Sequence, residues 1–174
     1  MSRTLTIEGP THQTPTRPTS SFQISALPLE TFAPFFDLDD TALAARGARR
    51  YVATKKPGFP CRVSLEDAEE GETLILLPFE HHPVDGPYRA MGPIFVRQSA
   101  ARAELEAGEV PVLVRHRQLS VRAYSAKGLM VDAVVTPGTE IEGVFARLFA
   151  HDKVAYLHVH YAAPGCFACR VDRV

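Results

Sequence analysis

The stretch from residue 154 to residue 171 constrains the fold most tightly, because a two-residue alternation runs into Pro164-Gly165 and out again. Leu157, Val159 and Tyr161 fall on one face and Tyr156, His158 and His160 on the other, the period of a half-buried strand. Pro164-Gly165 suits the two central positions of a type II turn, whose second centre requires positive φ. On the return, Phe167, Cys169 and Val171 oppose Ala168, Arg170 and Asp172. Matching apolar to apolar residues demands a loop of odd length, such as residues 163–165, since a slip of one residue exchanges every face. That register groups His158, His160, Cys166 and Arg170 on one polar side and sends Cys169 to the apolar side. Cys166 and Cys169, though spaced C-x-x-C, are therefore expected to point apart rather than hold a metal or a redox disulfide together.

The rest of the chain supports a mixed α+β domain over residues 21–174: a largely antiparallel mixed sheet with two or three helices on one face. A regularly alternating α/β fold is the alternative. Phe22, Ile24 and Ala26 alternate as a strand. A helix follows over residues 41–46, with Asp37 or Asp39 as N-cap, Gly47 as its left-handed stop, and Leu38 and Leu43 as its apolar contacts. Residues 50–54 read as a strand, and Pro57-Gly58-Phe59-Pro60 as a rigid turn leading into Cys61, a core residue. Residues 73–79 are apolar on both faces, as in a buried strand, and residues 80–92 read as a long irregular connection carrying His81 and His82. Strand character resumes at residues 93–97, and residues 100–106 suit a short helix before Gly108. Residues 119–136 form a hairpin on a three-residue loop, Ala126-Lys127-Gly128, which pairs Arg122 with Asp132. Leu119, Val121 and Ala123 then share a face with Val131, Ala133 and Val135. Thr139-Glu140-Ile141-Glu142 reads as a capping box, and Ile141, Val144, Phe145 and Leu148 give the following helix its apolar stripe, to about Ala150.

A chain of 174 residues buries roughly 70% of its unfolded surface, enough for a core without disulfides. Its three cysteines are odd in number and too few for a disulfide framework, which fits a reducing, cytoplasmic setting. Residues 1–20 hold six threonines and three prolines with little that is apolar, so they read as a disordered arm rather than a secretory signal. No run is long and apolar enough to span a bilayer, and a net charge of -1 gives no field for nucleic acid or anionic lipid. There is neither a G-x-G-x-x-G nor a phosphate-loop lysine motif.

Three kinds of chemistry remain. Arg62, Arg89, Arg97, Arg122 and Arg170 supply planar forks able to hold a carboxylate or phosphate. Cys166 with His158 or His160 offers a nucleophile and a base. His158 and His160, roughly 7 Å apart at their bases along a strand, are close enough for both rings to converge on one metal, which then needs further ligands such as Cys166, His81 or His82.

Five blocks, Pro57-Gly58-Phe59-Pro60-Cys61-Arg62, Pro87-Tyr88-Arg89 with Gly92-Pro93-Ile94-Phe95-Val96-Arg97, Ser120-Val121-Arg122-Ala123-Tyr124, Val154-Ala155-Tyr156-Leu157-His158-Val159-His160 and Gly165-Cys166-Phe167-Ala168, resemble the family called domain of unknown function 1203. The likeness runs over residues 22–173. It implies a small bacterial cytoplasmic protein and transfers no activity, cofactor or catalytic residue. Cys166 belongs to the resembled pattern and Cys169 does not; asparagine is the expected residue where this chain has Tyr161.

The leading functional expectation is a binding or sensing domain for a small anionic ligand, its pocket lined by Arg97, Arg122, Arg170, His158 and His160. The alternatives are an enzyme using Cys166 with His158 or His160, a histidine-held metal, and a protein-interaction module without a pocket.

Overall fold

The alternating stretches pair as antiparallel strands in the computed structural model, which describes residues 22–174. Five of them, β1 (Phe22–Ser25), β8 (Phe167–Arg173), β7 (Tyr156–Tyr161), β5 (Gln118–Tyr124) and β6 (Met130–Pro137), lie side by side in that order. A smaller sheet holds β2 (Arg49–Val52), β3 (Thr73–His82) and β4 (Ala90–Arg97) in chain order. Every pair of neighbouring strands is antiparallel, so the fold is α+β and the alternating α/β alternative does not apply. The expected arm at residues 1–20 lies outside the described residues. No helix among the described residues is long and apolar enough to cross a membrane.

Four short α-helices complete the fold among the described residues: α1 (Ala33–Phe36), α2 (Asp40–Ala45), α3 (Val112–Arg115) and α4 (Ile141–Phe149). They divide between the two sheets rather than sharing one face. Ile141, Val144, Phe145 and Leu148 of α4 seal one face of the larger sheet against Val121, Leu157, Val159 and Val171. Phe32 and Leu43, by contrast, join Ile75, Leu77, Ile94 and Val96 in a second core under β3 and β4. In α2 the Asp39 carboxylate accepts from the Ala42 amide at 2.8 Å, and Gly47 ends the segment at φ +69°, as the sequence predicts.

Several expectations are corrected. Thr139 does not cap α4: Gly138–Glu140 is a 3-10 turn in which the Ile141 amide bonds Gly138 O, and no side chain caps the helix. Residues 100–106 are not helical, because Ala103 donates to Val63 O and Leu105 O accepts from the Gln23 side chain, leaving these backbone groups tied to other segments. The connection after β3 is shorter than expected, since the strand continues through His81 and His82.

The β5–β6 loop itself is as read, with Ser125 donating to Leu129 O and Gly128 at φ +73°. Beyond it the ladder steps from Tyr124↔Met130 to Ala123↔Asp132, leaving Val131 as a bulge, so Arg122 pairs with Ala133 and not Asp132. Val131 and Val134 thereby both reach the core, while Ala133 and Val135 are exposed.

Gly138 allows a close backbone approach. A Cβ there would lie 2.1 Å from Val114 O and 2.7 Å from Arg115 O, at the end of α3. Gly138→Ala is expected to destabilise the fold by about 1–3 kcal/mol or more, as overpacking does. Gly143→Ala, on an open helical surface with nothing within 4 Å, should instead stabilise it by roughly 0.5–1 kcal/mol. Urea midpoints of the two variants, moving in opposite directions, check both.

Candidate metal centre

Leu157, Val159 and Tyr161 turn one side of β7 toward α4, so His158 and His160 leave on the other, toward the smaller sheet. Across the larger sheet His158 is flanked by Arg122 on β5 and Arg170 on β8. The smaller sheet brings His81 and His82 from the end of β3. Adjacent strand residues normally point to opposite faces, but here Phe79 faces Gly92 while His82 faces Ala90, a bulge with one extra residue on β3. Both rings consequently reach the same cluster: His81 lies 5.0 Å from His160 and 5.9 Å from His158, and His82 lies 5.0 Å from His158.

Phe167 floors the group. Its ring stacks on His81 at 5.1 Å and 3° and meets His158 and His160 edge-on. The turn from β7 into β8 puts it there. Tyr161 donates to Cys166 O and Gly165 to Tyr161 O, which makes a four-residue loop in place of the expected odd one. His160 then faces Phe167, Ala168 is left unpaired, and Val159 faces Cys169 as the sequence register requires.

The hydrogen bonds sort the histidines. A carbonyl oxygen only accepts, so the 2.6 Å contact of His82 Nδ1 with Tyr88 O fixes the proton on Nδ1, and Nε2 accepts from the Tyr156 hydroxyl at 2.7 Å. His82 is thus fully engaged. His160 Nδ1 likewise donates to Gly165 O at 3.1 Å, which leaves Nε2 with a free lone pair. That Nε2 is buried without a partner, as are His81 Nδ1 and His158 Nδ1. His81, His158 and His160 each offer a nitrogen within 4.8 Å of the others. A tetrahedral zinc with bonds of about 2.1 Å sets its nitrogens about 3.4 Å apart, so the three rings would close by no more than about 1.4 Å.

Burial favours the neutral ring. Desolvation is the main cause for all three, carrying His158 down to about 2, His160 to about 3 and His81 to about 4, from 6.5. Arg122 adds repulsion at His81 and His160, and Arg170 at His158. Neutral imidazole is the form that ligates metals.

The remaining site candidates disperse. Cys166 lies across from Tyr161, packs against the α4-side core and accepts from Arg62 at 3.1 Å, so its contacts run to Arg62 and that core rather than to the expected partners His158 and His160. The four-residue loop and the bulge put Cys166 on the same side of the ladder as Cys169, contrary to the sequence register. Arg89 is exposed and bound to Glu80; Arg97 is held by Glu66 and Glu72; Arg170 forks onto Asp172 and lies over the Tyr156 ring at 4.0 Å. Arg62 is buried on the far side of β7's ladder. Of the expected arginine pocket, only Arg122 and Arg170 border the histidines. The sequence offers His81 only as a possible extra ligand; alternation gives Tyr156 and Tyr161 their faces but not their partners, and Arg117 carries no local signal of its position.

The family model described as Protein of unknown function (DUF1203) matches residues 58–173. The chain belongs to that family. The match begins later than the resemblance seen from residue 22 and takes in the whole histidine cluster. No curated protein and no solved structure matches the chain.

Depressed histidine pKa values set a pH window for this DUF1203 member. Above 6.5 both folded and unfolded rings are neutral and stability is complete. Below it the unfolded chain binds protons that the folded state refuses, costing about 1.4 kcal/mol per pH unit for each of His158 and His160. Glu72, held down to about 2 by Arg97 and Ser99 against its own burial, loses stability only below its ordinary 4.5. Chelator-treated protein should therefore lose stability in urea between pH 6.5 and 5, and His158→Leu should reduce that slope by about one proton; a flat profile would contradict neutral burial.

Proposed function

We propose that this protein holds a divalent transition metal of the zinc type on His81, His158 and His160, with a small oxyanion or hydroxide as its fourth ligand. What supports it most is that His158 and His160, both buried, and the half-buried His81 each carry a buried nitrogen with no hydrogen-bond partner, and that one ring nitrogen of each lies within 4.8 Å of the others. An unsatisfied buried nitrogen costs roughly 1–3 kcal/mol, and three together in one cluster without a shared partner are hard to rationalise as packing. The bond from His160 Nδ1 to Gly165 O is the outer contact that orients a metal-bound imidazole.

The anionic fourth ligand follows from charge. The three rings bring none, no carboxylate among the described residues joins them, and Arg122 flanks His158 on one side, with Arg170, paired to Asp172, on the other. A dication in that setting favours an anion at its open position. Three protein ligands with one position left is the arrangement in which zinc lowers the pKa of its water to about 7. This keeps the anionic ligand expected from the sequence and moves it from a pocket of arginines to a metal.

Elemental analysis of the purified chain after zinc loading and gel filtration should find about one equivalent, with a thermal stabilisation worth about 4 kcal/mol at roughly 1,000 times Kd. His158→Ala and His160→Gln should lose the ion, whereas Cys166→Ser should keep it. No retained metal and no change in melting temperature on adding zinc would overturn the reading, and metal lost with Cys166 instead of the histidines would assign it elsewhere.

A further inference from the structure

Tyr161 points the opposite way from His160, toward a cleft of about 560 Å³ where the larger sheet meets β4 and α3. Arg62, Asp67, Phe95, Leu113, Arg117 and Tyr161 line it. Its size is that of a small-molecule site. Two guanidinium groups lie over the Tyr161 ring, Arg62 at 5.2 Å and Arg117 at 5.1 Å. Their charges are treated differently. Arg117 forks onto both oxygens of Asp67, at 2.7 and 2.8 Å, and is neutralised.

Arg62 has no such partner. It is 1% exposed, and its donors go to Phe167 O at 2.7 Å, to Pro60 O and to Cys166 Sγ at 3.1 Å. Among the described residues no carboxylate forms an ion pair with it. Three of its five N–H groups are used and its charge is left buried and uncompensated, a state that proteins ordinarily balance with an anion. Beside it the Tyr161 hydroxyl is buried with no hydrogen-bond partner, in a residue only 4% exposed. A cation without its anion and a donor without its acceptor meet at one wall of the cleft.

We propose that this cleft binds a small amphiphilic monocarboxylate, its carboxylate taken by Tyr161 Oη and the Arg62 guanidinium and its apolar body laid against Phe95 and Leu113. One unbalanced charge calls for one negative charge, which favours a carboxylate over a phosphate dianion. The mainly apolar remainder of the lining asks for a hydrocarbon or aromatic body. The site lies on the other side of β7 from the histidine cluster and needs no metal.

Calorimetric titration of the full chain with benzoate, octanoate, benzamide and inorganic phosphate, in the presence of a chelator, tests this. At least one of the two carboxylates should saturate at one equivalent, with preference between them distinguishing an aromatic from an aliphatic body. Benzamide and phosphate should bind at least about tenfold more weakly. Arg62 is too buried to replace safely, so the decisive variant is Tyr161→Phe. It removes only an unpartnered hydroxyl, should fold with undiminished stability, and should weaken the bound carboxylate by about tenfold or more, the effect of a lost hydrogen bond to a charged acceptor. Absence of carboxylate saturation, equal binding of benzamide or phosphate, or an unchanged affinity in Tyr161→Phe would each overturn the proposal.

Discussion

The unpaired Ala168 is the joint on which both candidate sites depend. It separates two ladder segments of opposite parity: Val159 faces Cys169 in the core, and one step later His160 faces Phe167. Without the extra residue, Phe167 would turn toward α4 and the histidines would lose the ring that floors them. Cys166 would turn toward the histidines and leave Arg62. A single inserted residue therefore decides what each side of the turn presents, which is the general effect of a bulge beside a functional surface.

Burial of neutral imidazoles is the energetic counterpart of that geometry. A histidine face set against a second sheet is stable only if its nitrogens are satisfied or uncharged. The cluster uses both routes. His82 is closed by Tyr88 O and Tyr156, and Tyr124 stacks on Tyr156 at 5.5 Å to wall that end. His81, His158 and His160 stay neutral through desolvation and keep one open nitrogen each. The division between closed and open rings gives the cluster a direction: the closed ring lies on the tyrosine side, and the open ones converge beside Phe167.

Much of the fold was legible in the chain. Alternation identified the strands around His158 and Arg122, the stripe from Ile141 to Leu148 gave α4 its buried face, and Asp39 and Gly47 bounded α2. What escaped were the three bulges, at Val131, at Ala168 and near His81. Each arises because residues an odd number apart, such as Val131 and Val134, gain by reaching one side, and that gain is set by the opposing layer rather than by the local sequence. For the site the consequence was specific. His158 and His160 were correctly placed on one face with Arg170, but Cys166 was put with them, and His81 had no rule joining it to a strand 77 residues later. The arginines were legible as cations and not as a pocket, because their carboxylate partners, Glu66 and Glu72 for Arg97 among them, are chosen in three dimensions.

Arg62 connects the two faces of β7. Its Nε holds Phe167 O, so the guanidinium in the cleft fixes the backbone of the residue whose ring supports the histidines. Its charge also reaches through the sheet, where it is among the groups that hold His160 below its usual range. The two effects have one source, an arginine kept charged without a carboxylate at the meeting of the two sheets. A carboxylate placed there would shorten the range of that field and weaken the repulsion felt by His160, while the hydrogen bond to Phe167 would remain. The position of the histidine cluster thus rests on the arginine's donors, and part of its electrostatic setting rests on the arginine's unbalanced charge.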